Sequence, residues 1–384
     1  MSARTFAAAV FVGAIACVAF APRAHAYPQW QLSQEARCDE CHFAPAGGGL
    51  INAFGRDFVG EELSTFGGNG QVFHGAAKLP PWLALGGELR GAFASQDVGD
   101  LNGTSTAVFP MQADAEGRVA FGPFSFYGVL GFREQIRSNE DIVPTQNYQP
   151  ISTSQLISRE HWFMLREGAL GGYVRLGRFF APFGLRMAEH ILYVRRDLGF
   201  GTMEESYNLS SGYVADKWEL HVTAFAPDFL RQMGSREGGL TAYYERRFAE
   251  IASVAPQVRL AIGPGMTRTI VGGIGKAWVA PIRTLFFAEA DFVRRDIDTV
   301  SPSYQFVGVG GASVVLPFKG FMATALQERN QVDFRVANAA YDATDLLVSW
   351  FPYAHFELQA LGRLEFPSGG QSAKTFFVQL HYFL

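Results

Sequence analysis

Cysteine is scarce: the 384-residue chain has three. Cys17 falls in an apolar N-terminal stretch, which leaves Cys38 and Cys41. Two thiols with no further Cys do not make the four-ligand set of a zinc site. The βαβ context of a thioredoxin-type redox pair is missing as well. There is no basic excess, since 32 Lys and Arg face 36 Asp and Glu, a net charge of −4. Phosphate recognition needs a basic patch, so nucleic acid is not expected as a partner. After the N-terminus no apolar run approaches the roughly 20 residues of a membrane-spanning helix. Nucleotide-binding loops are also missing. Gly47-Gly48-Gly49 resembles no phosphate loop, and Gly273-Ile274-Gly275 lacks the remainder of a dinucleotide motif.

The N-terminus carries an export pattern. Met1-Ser2-Ala3-Arg4 is a short basic start, residues 6–20 form an apolar core, and Ala24-His25-Ala26 is a small-residue cleavage site before Tyr27. This predicts a secretory signal peptide over residues 1–26. The apolar run is short for an anchor helix, and Ala14-Ile15-Ala16 is a poor lipobox for Cys17. Removing the signal takes Arg4 and Arg23 and no acid, which leaves 30 basic residues against the 36 acidic ones.

From Trp82 to the end, segments of about ten residues alternate apolar and polar, separated by Gly, Pro, Asn, Asp and Ser turns. Trp218, Leu220, Val222 and Ala224 oppose Glu219, His221 and Thr223; Phe286, Ala288, Ala290 and Phe292 oppose Glu289 and Asp291; Phe356, Leu358, Ala360, Leu364 and Phe366 oppose His355, Glu357, Gln359, Arg363 and Glu365. A soluble sandwich and a membrane barrel both alternate. The count of segments, too large for one ordinary sandwich, favours the barrel. So do aromatic clusters at segment ends, Phe179-Phe180-Ala181-Pro182-Phe183 and Trp350-Phe351-Pro352-Tyr353, which suit interfacial girdles. The last strand, from Thr375 to Leu384, resembles the C-terminal signature of outer-membrane proteins, with Leu384 where those usually have Phe. The expected fold is all-β, an outer-membrane antiparallel β-barrel over residues 81–384 with about 16 strands, 14 to 18 being compatible with the pattern. Strand starts are expected near Trp82, Thr106, Phe124, His161, Gly171, Tyr207, Lys217, Gly238, Gln257, Thr267, Arg283, Ser303, Lys319, Tyr341, Ala354 and Lys374. The longest gaps, Arg137 to Ser158 and Pro182 to Asn208, are candidate surface loops or an inward-folded constriction.

Cys38-Asp39-Glu40-Cys41-His42 is the most specific signal in the chain. C-x-x-C-H is the attachment pattern of a c-type haem: two thiols bond the haem covalently and the following His ligates iron from one face. Residues 27–80 hold this motif and do not read as strand. About 54 residues are few for a free-standing domain. The segment is therefore expected to lean on the barrel as a plug in or at its lumen, which in a barrel of this size is wide enough to need filling or to conduct water. The segment has one other His, His74, and no Met occurs between His42 and Met111. His74 is thus the candidate sixth iron ligand, alongside an open site or an inward-facing His221 or His381. Phe54 is expected to pack on the ring, and Arg56 to pair with a haem propionate or to sit on the surface.

The motif is followed by Ile51-Asn52-Ala53-Phe54-Gly55-Arg56-Asp57-Phe58 and then by the alternating region. Together these resemble the fused monohaem cytochrome–porin family, whose best known members are outer-membrane iron oxidases of Fe(II)-oxidising bacteria. In that family an L-N-x-F-G-R-x-F element follows the haem motif. Here Ile51 replaces the Leu, Ala44-Pro45-Ala46-Gly47-Gly48-Gly49 makes the spacer glycine-rich, and Gly60-Glu61 stands where a Gly-aromatic pair is usual. The close resemblance covers about 30 residues, while the barrel matches in pattern only. Leu176-Gly177-Arg178-Phe179 with Pro182-Phe183-Gly184 is similar to a strand and loop common in porins.

The resemblance implies outer-membrane electron transfer through one covalent haem c. The expected partners are a periplasmic c-type cytochrome or other carrier, outer-membrane lipid, and an extracellular redox donor or acceptor such as iron. The alternative is a porin or transporter whose haem segment is a gate or structural plug. A haem enzyme such as a peroxidase would need an open distal site. Fe(II) would call for oxygen ligands on a loop; Glu204, Glu205, Asp296 and Asp298 are the candidates, although acidic loops are common on solvated faces.

Overall fold

Strict alternation over long stretches builds long strands, and here they close on themselves. The computed structural model describes residues 32, 37–97, 103–135, 153–189, 191–201, 204–227, 237–249 and 251–384. The expected signal peptide lies outside them. The strands are β1 (Leu83–Asp97), β2 (Thr104–Phe121), β3 (Phe124–Gln135), β4 (Thr153–Ile157 resuming as His161–Arg166), β5 (Gly171–Phe179), β6 (Ser206–Val214), β7 (Trp218–Ala226) and β8 (Gly238–Phe248). They continue as β9 (Ala252–Gly263), β10 (Met266–Val279), β11 (Thr284–Ile297), β12 (Val300–Val315), β13 (Phe321–Gln331), β14 (Ala340–Trp350), β15 (Phe356–Pro367) and β16 (Ala373–Phe383). Both parts of β4 pair with β3, at Gly131↔Ile157 and Tyr127↔Trp162, so they are one interrupted strand. Each strand pairs antiparallel with its sequence neighbours, and β1 pairs with β16 from Glu88↔Phe383 to Asp97↔Lys374. The result is a closed 16-strand antiparallel barrel with no free edge.

The faces are inverted relative to a soluble protein. In β7, Glu219, His221 and Thr223 are at most 1% exposed, whereas Leu220 and Val222 are 37% and 45% exposed. The same holds for Phe286 and Phe292 against Glu289 and Asp291, and for Leu358 and Leu364 against Glu357 and Arg363. Polar groups turned inward and an apolar outer band are the condition for sitting in lipid. Many of the inward charges are paired, among them Lys276 with Glu245 at 2.9 Å, and Arg363 with Glu328 at 2.6 Å and Asp345 at 3.0 Å. Aromatic pairs gather near one rim, with Phe321 stacked on Trp350 at 5.5 Å and Tyr213 on Trp218 at 5.3 Å.

The two ends differ. Connections at the end where β1 begins and β16 finishes are short, as between β2 and β3 or β6 and β7; those at the other end include the gaps after β1, β3, β5 and β7. Short turns mark the periplasmic end of such barrels and long loops the outer end.

The segment between β5 and β6 resolves one open expectation, because it folds into the lumen. The amides of Gly184, Leu185 and Tyr193 donate to Gln257 Oε1 at 2.7 Å, Glu289 Oε2 at 2.8 Å and Glu328 Oε2 at 2.6 Å, all on the inner wall. A loop in a lumen must satisfy its backbone donors there, and these wall groups do so. Its apolar side chains Phe183, Leu192, Tyr193, Leu198 and Phe200 are all buried. Of the other long gap, residues 136–152 lie outside the described residues.

Candidate haem-attachment site

Cys38–Cys41 form one helical turn, α1. A single turn brings residues three apart onto one side, which puts both thiols next to each other with His42 directly after. The thiols are free. Burial raises Cys38 to about 11 and Cys41 to about 12, with Arg186 opposing the shift at Cys38. Both are therefore neutral near pH 7, and neither thiol–disulfide exchange nor thiolate ligation of a metal is favoured. Burial also pulls His42 below its usual pKa, which favours the neutral imidazole that binding a haem iron would need. His42 Nδ1 lies 3.3 Å from the carbonyl of Gly49. That contact orients the ring and would leave Nε2 to a metal, the usual arrangement of a carbonyl-oriented His ligand. The donor set fits a c-type haem.

The residues after the motif act as its frame. Gly47, Gly48 and Gly49 all have positive φ, between 61° and 78°. The backbone folds back over the motif, and a Cβ on Gly47 would sit 3.2 Å from Cys38 Cβ. Phe43 N donates to Leu50 O at 3.3 Å, Asn52 N donates to Cys41 O at 2.8 Å, and Asn52 Nδ2 donates to Glu40 O at 2.7 Å. Asn52 also caps α2 (Ala53–Asp57), accepting from Gly55 N at 3.0 Å. Gly55 touches the motif itself: a Cβ there would lie 2.7 Å from Cys41 O and 2.4 Å from Ile51 Cγ2. The Asn, the Gly and the Arg of the element thus have separate physical tasks. Arg56 is buried and donates to Leu85 O and to Leu384 O, the latter at 3.2 Å. It ties α2 to the seam between β1 and the chain's last residue. Phe54 is half-exposed on the outer side of α2.

Ion pairs and loops join this frame to the barrel. Asp39, inside the motif, is held by Arg37 at 3.1 Å and by Arg166 of β4 at 2.6 Å. The Arg186 guanidinium, on the inward loop, donates to Ala46 O, lies 3.6 Å from Glu219 and stands 5.0 Å over the Tyr243 ring. Further on, Thr65 N donates to Phe351 O at 2.8 Å, Ala354 N donates to Gly67 O at 3.2 Å, and Lys319 Nζ donates to Glu61 O at 2.7 Å. Phe351, Ala354 and Lys319 belong to turns at the short-turn end. Sequence reasoning missed Asp39, at a variable position of the motif, and Arg37, Arg166 and Arg186, which lie outside any motif pattern; a residue as bulky as Arg at φ 55° is visible only in three dimensions.

The candidate sixth ligands are scattered. His74 stands 4.4 Å ring to ring from His355 and within 3.3 Å of Tyr382 OH. His355 in turn faces Phe383 O at 2.7 Å and Asn69 O at 3.0 Å. His221 bonds Tyr173 OH at 2.7 Å and lies 3.4 Å from Glu219, which also neighbours Arg186. His381 lies 3.3 Å from Glu357. Glu205 is buried near Arg159 and Arg178 at 3.7 and 3.5 Å, and Asp296 pairs with Arg294 at 2.8 Å. Among the described residues no group of three or more His, Cys, Asp or Glu is arranged to hold a metal ion.

No family model matches the chain, and no curated protein matches it. Solved structures share its fold. OprB of Pseudomonas putida is 10% identical with a TM-score of 0.58, over 79% of this chain and 94% of that one. An anion-selective porin from Comamonas acidovorans is 10% identical with a TM-score of 0.57, over 79% and 99%. OmpT of Vibrio cholerae, expressed in the outer membrane, is 11% identical with a TM-score of 0.55, over 79% and 97%. At such identities the likeness is one of fold, that of an outer-membrane porin-type barrel.

Proposed function

We propose that this chain is a bacterial outer-membrane barrel closed by its own N-terminal segment, and that the segment carries one covalent haem c for electron transfer. The observation that carries this reading is the placement of Cys38 and Cys41 on one turn, with His42 oriented by the Gly49 carbonyl, beside residues Phe43 and Leu50 that pack on strand residues Tyr127, Trp162 and Phe179. Bound there, a haem c supplies reversible one-electron transfer. The chain's own part is to hold the thiols and imidazole in place through Asn52 and Gly55, to fasten the segment through Arg56, Asp39 and Arg186, and to exclude water with the inward loop. The plug role rests on backbone bonds with the turn after β14, to which Thr65 N and Phe66 N donate and from which Gly67 O accepts. The bonds from Arg56 to Leu85 O and Leu384 O argue for an attachment site toward the short-turn end. The apolar band of such barrels is about 25 Å tall, so one haem does not bridge both faces. A periplasmic c-type cytochrome or similar carrier completes the path on one side, and an extracellular donor or acceptor, Fe(II) among them, on the other.

The fold neighbours support a second reading, a porin or transporter whose N-terminal segment gates the lumen. Two measurements on the membrane-extracted protein separate them. A low-spin c-type spectrum with reversible one-electron reduction, and low conductance in a planar bilayer, supports electron transfer. Bulk conductance with no redox dependence supports the porin, and a high-spin spectrum that responds to CO points to an open iron site.

A further inference from the structure

Three buried donors on one patch of the inner wall have no acceptor. Arg175 on β5 is 3% exposed and Trp162 on β4 is 4% exposed; Arg175 Nε and Trp162 Nε1 make no hydrogen bond, and neither does Arg118 Nε on β2. No carboxylate lies within 4.0 Å of either guanidinium among the described residues; their contacts are rings, Phe43 at 4.4 Å from Arg118, and Phe179 at 3.7 Å and Trp162 at 5.7 Å from Arg175. The four strands are neighbours, because Arg118 registers with Tyr127, Tyr127 with Trp162, and Met164 with Arg175. Tyr127 stands between the two arginines, and its own hydroxyl is satisfied by Glu116 at 2.7 Å.

Arg stays charged in a protein, so a buried guanidinium with no anion is costly unless the site brings one. This wall faces the attachment site. Leu50 and Phe43 pack into the cluster of Tyr127, Trp162 and Phe179, and a Cβ on Gly49 would lie 3.0 Å from Tyr127 OH. Gly49 is the residue whose carbonyl orients His42. The other guanidinium groups near the motif are already engaged: Arg56 bonds two carbonyls, Arg37 and Arg166 hold Asp39, and Arg186 bonds Ala46 O.

We infer that Arg118 and Arg175, with the Trp162 indole N–H between them, form the seat for the two carboxylates of the haem. This rests on the haem reading above. Planar guanidinium and carboxylate groups match in shape and charge, and the indole supplies a third donor. Pairing them would neutralise both carboxylates in a place closed to water, so the wall would set the potential while the segment supplies the covalent bonds.

The test is a potentiometric titration of the full-length holoprotein in detergent, for wild type, Arg118→Gln, Arg175→Gln and Arg175→Lys. Removing a positive charge beside the haem favours the oxidised form. Each Gln variant should shift the oxidised-to-reduced ratio about tenfold, a midpoint lower by about 59 mV, with covalent haem content unchanged. Arg175→Lys should restore most of the loss. Gln variants that hold haem at the wild-type potential overturn the carboxylate seat and leave the haem reading standing. A wild-type chain without covalent haem overturns both. If Arg175→Gln fails to assemble, Arg118→Gln, at a less buried position, carries the same comparison.

Discussion

Replacing Arg186 with Ala should unlatch the barrel. Arg186 joins the inward loop to the N-terminal segment through Ala46 O, and it also faces Glu219 at 3.6 Å and the Tyr243 ring at 5.0 Å. A hydrogen bond from a charged donor contributes about 1.5–3 kcal/mol. A partly desolvated cation–π contact adds about 1 kcal/mol. Glu219 would keep Arg247 at 3.6 Å and His221 at 3.4 Å, so it would not be left bare. The net loss is about 3 kcal/mol, or about two orders of magnitude in the ratio of open to closed forms. Single-channel recording in a planar bilayer reads this ratio directly: rare openings in the wild type should become frequent. Arg186 holds φ 55°, a conformation that costs a non-glycine residue about 1–2 kcal/mol. Arg186→Gly removes the same contacts but relieves this strain, so it should open about fivefold less often than the Ala variant. A wild type that already conducts as an open pore, or an Ala variant as closed as wild type, would refute the latch.

Three further outcomes follow from the site. Gly55→Ala should abolish covalent haem attachment while the barrel still forms, because the new Cβ would meet Cys41 O at 2.7 Å and Ile51 Cγ2 at 2.4 Å; haem staining of a heat-modifiable band checks both at once. Asn52→Ala loses a helix cap and the bond to Glu40 O, together about 2 kcal/mol, and proteolysis should cut the N-terminal segment sooner at unchanged barrel stability. Burial, reinforced by His74 and Arg56, pulls His355 below its usual pKa against its two carbonyl contacts. The folded form is then the neutral one. Its contribution is complete above the ordinary value of about 6.5 and is lost as pH falls through the lowered one. Protease accessibility of the segment should therefore rise from pH 7.5 to pH 5, and His355→Gln should flatten that dependence.

The barrel was legible because side-chain alternation is a strict consequence of strand geometry. All the expected strand starts fall near observed ones, and the errors have causes. β9 begins at Ala252, five residues before the expected start at Gln257, and runs through Pro256. Pro256 sits where the pairing of β9 with β8 lapses, between Val254↔Arg246 and Gln257↔Tyr243, a place where a missing N–H costs nothing. The first part of β4, Thr153–Ile157, was missed behind the interruption at residues 158–160. Whether residues 182–208 turned outward or inward could not be read locally. The answer depends on Gln257, Glu289 and Glu328, which approach the loop only once the barrel closes. In the site, the motif and the element after it stood out, since adjacent residues must serve one turn. The wall arginines did not, because each sits in an ordinary alternating strand.

Carrying solutes and carrying electrons make opposite demands on a lumen. A solute path needs continuous water along polar walls. An electron path is served by a dry, rigid interior, in which polar groups that reorganise around a changing charge are few. Here the inward loop contributes Leu192, Tyr193 and Leu198, all fully buried, and Phe183 packs against Phe200 at 5.2 Å. These side chains form a buried apolar cluster with inner-wall residues such as Ile270, Leu326 and Leu347. The wall still carries the paired charges of a water-filled pore, such as Lys276 with Glu245 and Arg363 with Glu328. Charged wall and apolar loop are thus two distinct layers. The filling should then be separable from the wall: replacing residues 182–204 with a short glycine-serine linker should leave a folded, heat-modifiable barrel that conducts ions. A shortened chain that fails to fold would mean that the loop is part of the barrel's own core.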